Sequence, residues 1–153
     1  MSFGALTELI GEFFCEKVTF SEDCLWGYPL DSLYLSRIKF KYLFNGQFIK
    51  YDFATQKNIV GGGIQGEGVF AINNDLGCLD GFWIDSSNPK MQFDQGNFSV
   101  SEQNQPVLSM LPADKHKETQ FLIVSREAFH LTFFLLQGSS KKVDVDLAFQ
   151  RVK

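Results

Sequence analysis

The stretch from Gly66 to Val100, GEGVFAINNDLGCLDGFWIDSSNPKMQFDQGNFSV, decides the fold. Its apolar and aromatic residues come in short runs, and each run ends among Asn, Asp, Gly, Ser or Pro. Those residues favour turns by supplying positive φ, a fixed φ, or side-chain bonds to the backbone. No long helix survives that punctuation, so the stretch reads as three short strands joined by turns.

The same pattern continues on both sides. Upstream, Tyr34 to Phe44 alternates strictly: Tyr34, Ile38, Phe40, Tyr42 and Phe44 face one way, and Arg37, Lys39 and Lys41 the other. Asn45-Gly46 follows, and both residues tolerate the positive φ of a type I′ hairpin turn. The return strand is 47–53. Earlier, period two starts at Glu12 and places Phe14, Val18 and Phe20 on one side of a first strand. Further strands are expected at 64–73, 78–85, 91–101, 107–111, 119–125, 128–137 and 142–152, about ten in all. Phe3, Leu6, Leu9 and Ile10 share one side of a short N-terminal helix, too short to hold alone, that must dock on the strands.

An open sheet of this size would leave two edges that invite aggregation, and closure removes them. The expectation is an all-β, up-and-down antiparallel β-barrel in one domain over 1–153, with the helix at 1–11 and the barrel at 12–153. A barrel of ~8 to 10 strands has an interior able to hold a small ligand. A two-sheet sandwich is the competing architecture.

Composition narrows the function. The chain has 153 residues and a formal net charge of -4. An acidic protein repels phosphate backbones, so no nucleic-acid partner is expected. The basic strip of Arg37, Lys39 and Lys41 reads as the solvated outer face of a strand. No apolar run approaches the ~20 residues of a membrane span. The N-terminus lacks the features of a secretory signal. Cys15, Cys24 and Cys78 match no zinc or redox spacing, so a reduced, cytoplasmic setting is expected. The 17 Phe require a large apolar volume, either a packed core or the wall of a cavity.

Candidate chemistry is sparse. Gly61 to Gly66 matches GxGxxG literally, but a strand follows it where a phosphate-binding helix is needed. The glycines suit a bent or bulged strand instead. His116 lies in a charged loop. His130 lies on a strand and points outward, away from any haem-like role. Asp144 and Asp146 alternate with Val143, Val145 and Leu147, as on the wet face of the last strand. No nucleophile constellation and no cofactor or metal motif is present in the sequence. Trp83 and Asp85 lie two apart and share a face. Asp85 is placed to cap the turn DSSNP, or to be a polar anchor or proton acceptor beside an indole. Arg151 shares the phase of Val145, Leu147 and Phe149, so it either grips a ligand carboxylate from inside or frays at the terminus.

A two-residue turn at Arg126-Glu127 would put Leu122, Val124, Phe129, Leu131 and Phe133 inward. Phe121, Ile123, His130, Thr132 and Phe134 would then face outward. The outer Phe pair suggests a homodimer through the 119–137 hairpin.

Leu43-Phe44-Asn45-Gly46-Gln47-Phe48 is followed by Gly66, Gly68 and Phe70, then Trp83, Asp85 and Ser86, then Gly96 and Phe98. In these residues the chain resembles a family of uncharacterised, mainly bacterial proteins with a calycin-like barrel, related in form to lipocalins and fatty-acid-binding proteins. Two positions depart from that pattern: Gly11-Glu12-Phe13-Phe14 lacks the usual Trp-Gly pair, and Ser87-Asn88 replaces Met-Gly. The resemblance implies a barrel with a small-molecule cavity and carries over no catalytic residue.

The expected function is therefore binding of a small apolar or amphipathic ligand. Tyr34, Phe40, Tyr42, Phe70 and Trp83 are the candidate wall, and Asp85 or Arg151 the candidate polar anchor. Two other classes remain open: an enzyme on a small lipophilic substrate with Asp85 as general acid or base, and a solid-core barrel serving as an interaction module.

Overall fold

A computed structural model describes residues 2–22, 24, 33, 36–55, 63–113 and 116–153. Ten antiparallel strands close into a barrel in which every neighbour in sequence is a neighbour in space, and β1 closes the ring against β10. They are β1 (Gly11–Phe20), β2 (Arg37–Leu43), β3 (Phe48–Ala54), β4 (Gln65–Asn73), β5 (Cys78–Asp85), β6 (Asn88–Val100), β7 (Pro106–Pro112), β8 (Lys117–Ile123), β9 (Ala128–Gln137) and β10 (Ser140–Arg151). The expected all-β, up-and-down architecture is the one found.

The Asn45-Gly46 turn sets the first hairpin. Asn45 has φ 55 and Gly46 φ 87, and the Gln47 amide donates to the Phe44 carbonyl at 3.3 Å. That register pairs Phe40 with Tyr51 and leaves Arg37, Lys39 and Lys41 exposed on the outside, as expected. The strip is interleaved with acid: Arg37 pairs with Glu12 at 3.1 Å, and Lys39 lies opposite Asp52.

The N-terminal segment is a 3-10 helix, Gly4–Leu9. Residues three apart eclipse in that geometry, so Phe3, Leu6 and Leu9 form one buried ridge. The ridge docks on the core and stabilises a segment too short to hold by itself.

Register shifts correct three expectations. In β1 the ladder slips between Cys15 and Lys17, so Glu16 is the extra residue. Phe13 and Cys15 therefore face inward before the bulge and Val18 after it, while Phe14 leaves the core face and Phe20, in phase with Val18, is exposed at the strand end. In the β8–β9 hairpin Ile123 lies opposite Phe129, one residue away from the pairing a two-residue turn would impose. A slip of one residue exchanges the faces of a strand. Phe121 and Ile123 are thus buried in the barrel, and Leu122 and Val124 turn outward. The outward Phe pair that suggested a dimer through 119–137 does not exist, because Phe121 is interior.

The third shift lies in β10, where Asp144 is the extra residue between Val143 and Val145. A bulge re-aims a side chain, and Asp144 is 5% exposed, not on the wet face. By contrast β4 pairs without a break on both sides, so Gly66 and Gly68 mark no bulge. Their role is space: a Cβ at Gly68 would overlap the Tyr51 ring, and one at Gly66 the Trp83 ring.

The antiparallel order gives the barrel two distinct ends. The β2–β3, β4–β5, β6–β7 and β8–β9 turns share one end with the 3-10 helix and the end of β10. The other five connections share the opposite end.

Candidate functional site

The first end is packed. Phe129 stacks on Phe149 with centroids 4.9 Å apart, and Phe13 meets Phe129 edge-on at 5.0 Å. Such pairs contribute about 0.5–1.5 kcal/mol each beyond their burial. Phe40 extends the cluster to Phe121 at 6.3 Å. Arg151 seals it. Its guanidinium lies 4.6 Å over the Phe13 ring and donates to three carbonyls: Nε to Arg126 at 2.8 Å, Nη1 to Ile10 at 2.8 Å and Nη2 to Glu8 at 2.7 Å. A Cβ at Gly11, whose φ is +135, would strike that guanidinium. Arg151 points inward as its phase required, but it binds the helix rather than a ligand.

The opposite end holds a cavity of about 260 Å3. Its deep wall is aromatic. Tyr51 stacks on Phe70 at 5.0 Å and on Trp83 at 5.6 Å, and Phe121 meets Phe70 edge-on at 5.7 Å. Phe53, Met110, Leu131 and Phe133 complete the apolar lining. Burial, and then the charge of Asp94, push the Tyr51 hydroxyl well above its ordinary range, so it stays protonated at any physiological pH.

The mouth is polar: Asp85, Gln92, Asp94, Lys117, Glu118, Thr119 and Asp144 all line the cavity. Asp85 caps its turn, as its position suggested, and holds the neighbouring indole. One oxygen accepts from Trp83 Nε1 at 2.7 Å, which orients the indole. The other accepts from the Ser87 amide at 2.8 Å and from the Ser87 hydroxyl, which closes the β5–β6 turn. Ser86 fastens that turn to β4, where its amide donates to the Gln65 carbonyl at 2.8 Å. Gln92 donates to Asp94 at 3.1 Å, and Lys141 reaches Glu118 at 3.1 Å.

The structure therefore brings together three of the sequence-derived candidates, Phe70, Trp83 and Asp85. Phe40 is buried in the core but does not line the cavity. Tyr42 is corrected: it is 46% exposed, because its strand has run past the core into the Asn45-Gly46 turn. Arg151 belongs to the packed end. Tyr34 lies outside the described residues, as do Gly61 and Gly62.

Sequence reasoning missed Tyr51, the ring at the centre of the wall. A signal existed: the Asn45-Gly46 register pairs it with inward-facing Phe40. It also missed Asp94, Glu118 and Asp144. Asp144 was not readable from alternation, because a bulge breaks the alternation there.

A second polar group lies on the outer wall. His130 Nδ1 is 2.9 Å from Asp146, which also accepts from the Thr132 hydroxyl. The carboxylate sits between the other two, so the imidazole does not face the hydroxyl as in a serine–histidine nucleophile pair. His130 points outward, as expected. Cys15, Cys24 and Cys78 are free thiols, and burial chiefly pushes the Cys15 thiol up to about 11, which makes it inert. Among the described residues no cluster of His, Cys, Asp and Glu could hold a metal ion, and no helix is long and apolar enough to cross a membrane.

Comparison with protein-family models returns no match, and comparison with curated protein sequences returns none either.

Proposed function

We propose that this protein binds a small, mostly apolar or amphipathic molecule in the cavity opposite the N-terminal helix. The observation that carries the reading is the aromatic wall around about 260 Å3 of space inside a closed barrel. Ligand sites are mostly apolar concavities with a few convergent polar groups, and this cavity has that composition at a volume a little below the usual range. An apolar cavity of about 150 Å3 takes up benzene in another protein, so a one-ring molecule is within reach here. The likeness of the Gly66–Phe98 motif residues to a calycin-like family agrees with this reading and names no activity. Three free thiols suit a reducing cytoplasmic compartment.

The other two classes draw less support. A general acid or base at Asp85 would need a carboxylate turned to a substrate, whereas its oxygens hold Trp83 and Ser87. A solid-core interaction module would need a filled interior at both ends.

Ethylbenzene titrated into the protein and followed calorimetrically tests the reading. Saturable one-to-one binding is expected, and Thr119→Phe, which places a ring in the cavity, should reduce the affinity at least about tenfold while thermal unfolding stays cooperative. Equal affinity in the native and filled proteins would overturn it.

A further inference from the structure

We infer that the ligand carries a neutral hydrogen-bond acceptor, a carbonyl or ether oxygen on an aromatic body, and that the Tyr51 hydroxyl donates to it. This rests on the binding reading above and adds the polar contact that selects among apolar molecules.

The stacked rings of the wall bring two polar handles into the bore, the indole N–H of Trp83 and the hydroxyl of Tyr51. Buried Trp and Tyr ordinarily find a partner for that handle. Trp83 has done so: its Nε1 donates to Asp85 at 2.7 Å. Tyr51 has not. Among the described residues no backbone or side-chain group hydrogen-bonds its hydroxyl, and what acts on it is burial and, through space, the charge of Asp94.

The register explains why. Tyr51 lies opposite Gly68, and Gly68 opposite Trp83, so the Tyr51 ring leans over a residue with no side chain. A Cβ at Gly68 would overlap the hydroxyl end of that ring. The hydroxyl is thereby laid along the inner face of β4, between the rings of Phe70 and Trp83 rather than among polar groups. The sealed, unpartnered side-chain polar atoms of the described residues are the hydroxyls of Ser21 and Ser36. That of Tyr51 is not one of them, so it opens on the cavity its residue lines.

The chemistry of the group sets that of the ligand. Burial keeps the phenol protonated, so it offers one O–H donor. A hydrocarbon that displaced water from the cavity would leave this donor unpaired, which is costly in an apolar surrounding. An oxygen at the edge of an aromatic ligand would satisfy it while the rings cover the rest. A site that bonds a polar group also discriminates more sharply than apolar surface alone.

Acetophenone and ethylbenzene share a ring and a two-carbon chain and differ by one carbonyl oxygen. Both are titrated calorimetrically into the native protein and into Tyr51→Phe, which removes the hydroxyl and keeps the ring. The substitution should weaken acetophenone about fivefold and leave ethylbenzene within about twofold or tighter. The infrared carbonyl stretch of acetophenone bound to the native protein should lie below its position in hexane, a readout that stands if Tyr51→Phe fails to fold. An equal change for both probes, a stretch at the hexane position, or binding of ethylbenzene without acetophenone overturns the acceptor inference and leaves the binding reading standing. Failure of both probes to bind overturns both.

Discussion

The two ends of this barrel use the same residue types to opposite effect. At the packed end, Phe13, Phe129 and Phe149 fill the bore, a ridge of Phe3, Leu6 and Leu9 lies on it, and Arg151 ties the helix down. At the cavity end, Tyr51, Phe70 and Trp83 stack along one wall and leave the facing volume empty. Glycines separate the two outcomes. Gly66 and Gly68 give Trp83 and Tyr51 room to lie flat against β4, so the rings line the bore instead of crossing it. One end supplies stability, and the other is left free for recognition.

The sharpest way to break that contrast is to truncate one Phe at each end. Phe129 is fully buried and touched by rings on several sides, so Phe129→Ala should cost about 3–5 kcal/mol. Phe133 is only partly buried and borders space that already exists, so Phe133→Ala should cost about 1 kcal/mol. Urea unfolding midpoints measure both. Similar losses would mean that the two ends are packed alike.

Arg151→Met sharpens the contrast at the packed end. It keeps an apolar stem over Phe13 and removes three donors from carbonyls of the helix and the β8–β9 loop. A loss of about 2 kcal/mol is expected. Hydrogen exchange should quicken across Gly4–Leu9 and leave the β5–β6 hairpin unchanged. Uniform acceleration along the chain would deny Arg151 a local role.

The smallest expected effect lies on the outer wall, away from both ends. The hydrogen bond from His130 to Asp146 outweighs burial and raises the imidazole above its ordinary 6.5. Burial pulls Asp146 upward, but the bonds from His130 and Thr132 and the charges of His130 and Lys17 together leave it below 3.8. The His130 contribution is therefore full below pH 6.5 and is lost as pH rises through its folded-state value. The Asp146 contribution is present above pH 3.8 and is lost as pH falls through its own. The side chains are 38% and 24% exposed, so solvent screening holds the pair below about 1 kcal/mol. Stability relative to His130→Gln should be greatest between about pH 4 and 6.5 and fall away progressively as pH rises through the raised His130 value. A difference that grows toward alkaline pH would contradict the assignment.

Much of the fold was legible because its signals are local. Alternation in Arg37–Leu43 and the Asn45-Gly46 turn set one hairpin, and the turn residues between Asn73 and Cys78 mark another. The faces were legible only while the ladders stayed regular. Glu16 and Asp144 each insert one residue, and the β8–β9 connection is longer than a tight turn, so phases read across those points came out reversed. The site suffered most from this. Its aromatic half, Phe70 and Trp83, lies on regular strands and could be anticipated. Of its acidic half, Asp85 could be anticipated because it shares the face of Trp83, whereas Asp144 depends on a bulge, which a period of two does not encode. Arg151 was read into the right phase at the wrong end, because alternation fixes the side of a wall and not the height along it.

The central claim, one filled end and one receptive end, is tested most directly by following the ethylbenzene titration residue by residue with NMR. The indole Nε1–H of Trp83 and the methyls of Met110 and Leu131 should shift progressively and saturate together, while the methyls of Leu6 and Leu9 stay still. Absence of any shift at Trp83, or equal shifts at Leu6 and Leu9, would contradict the account.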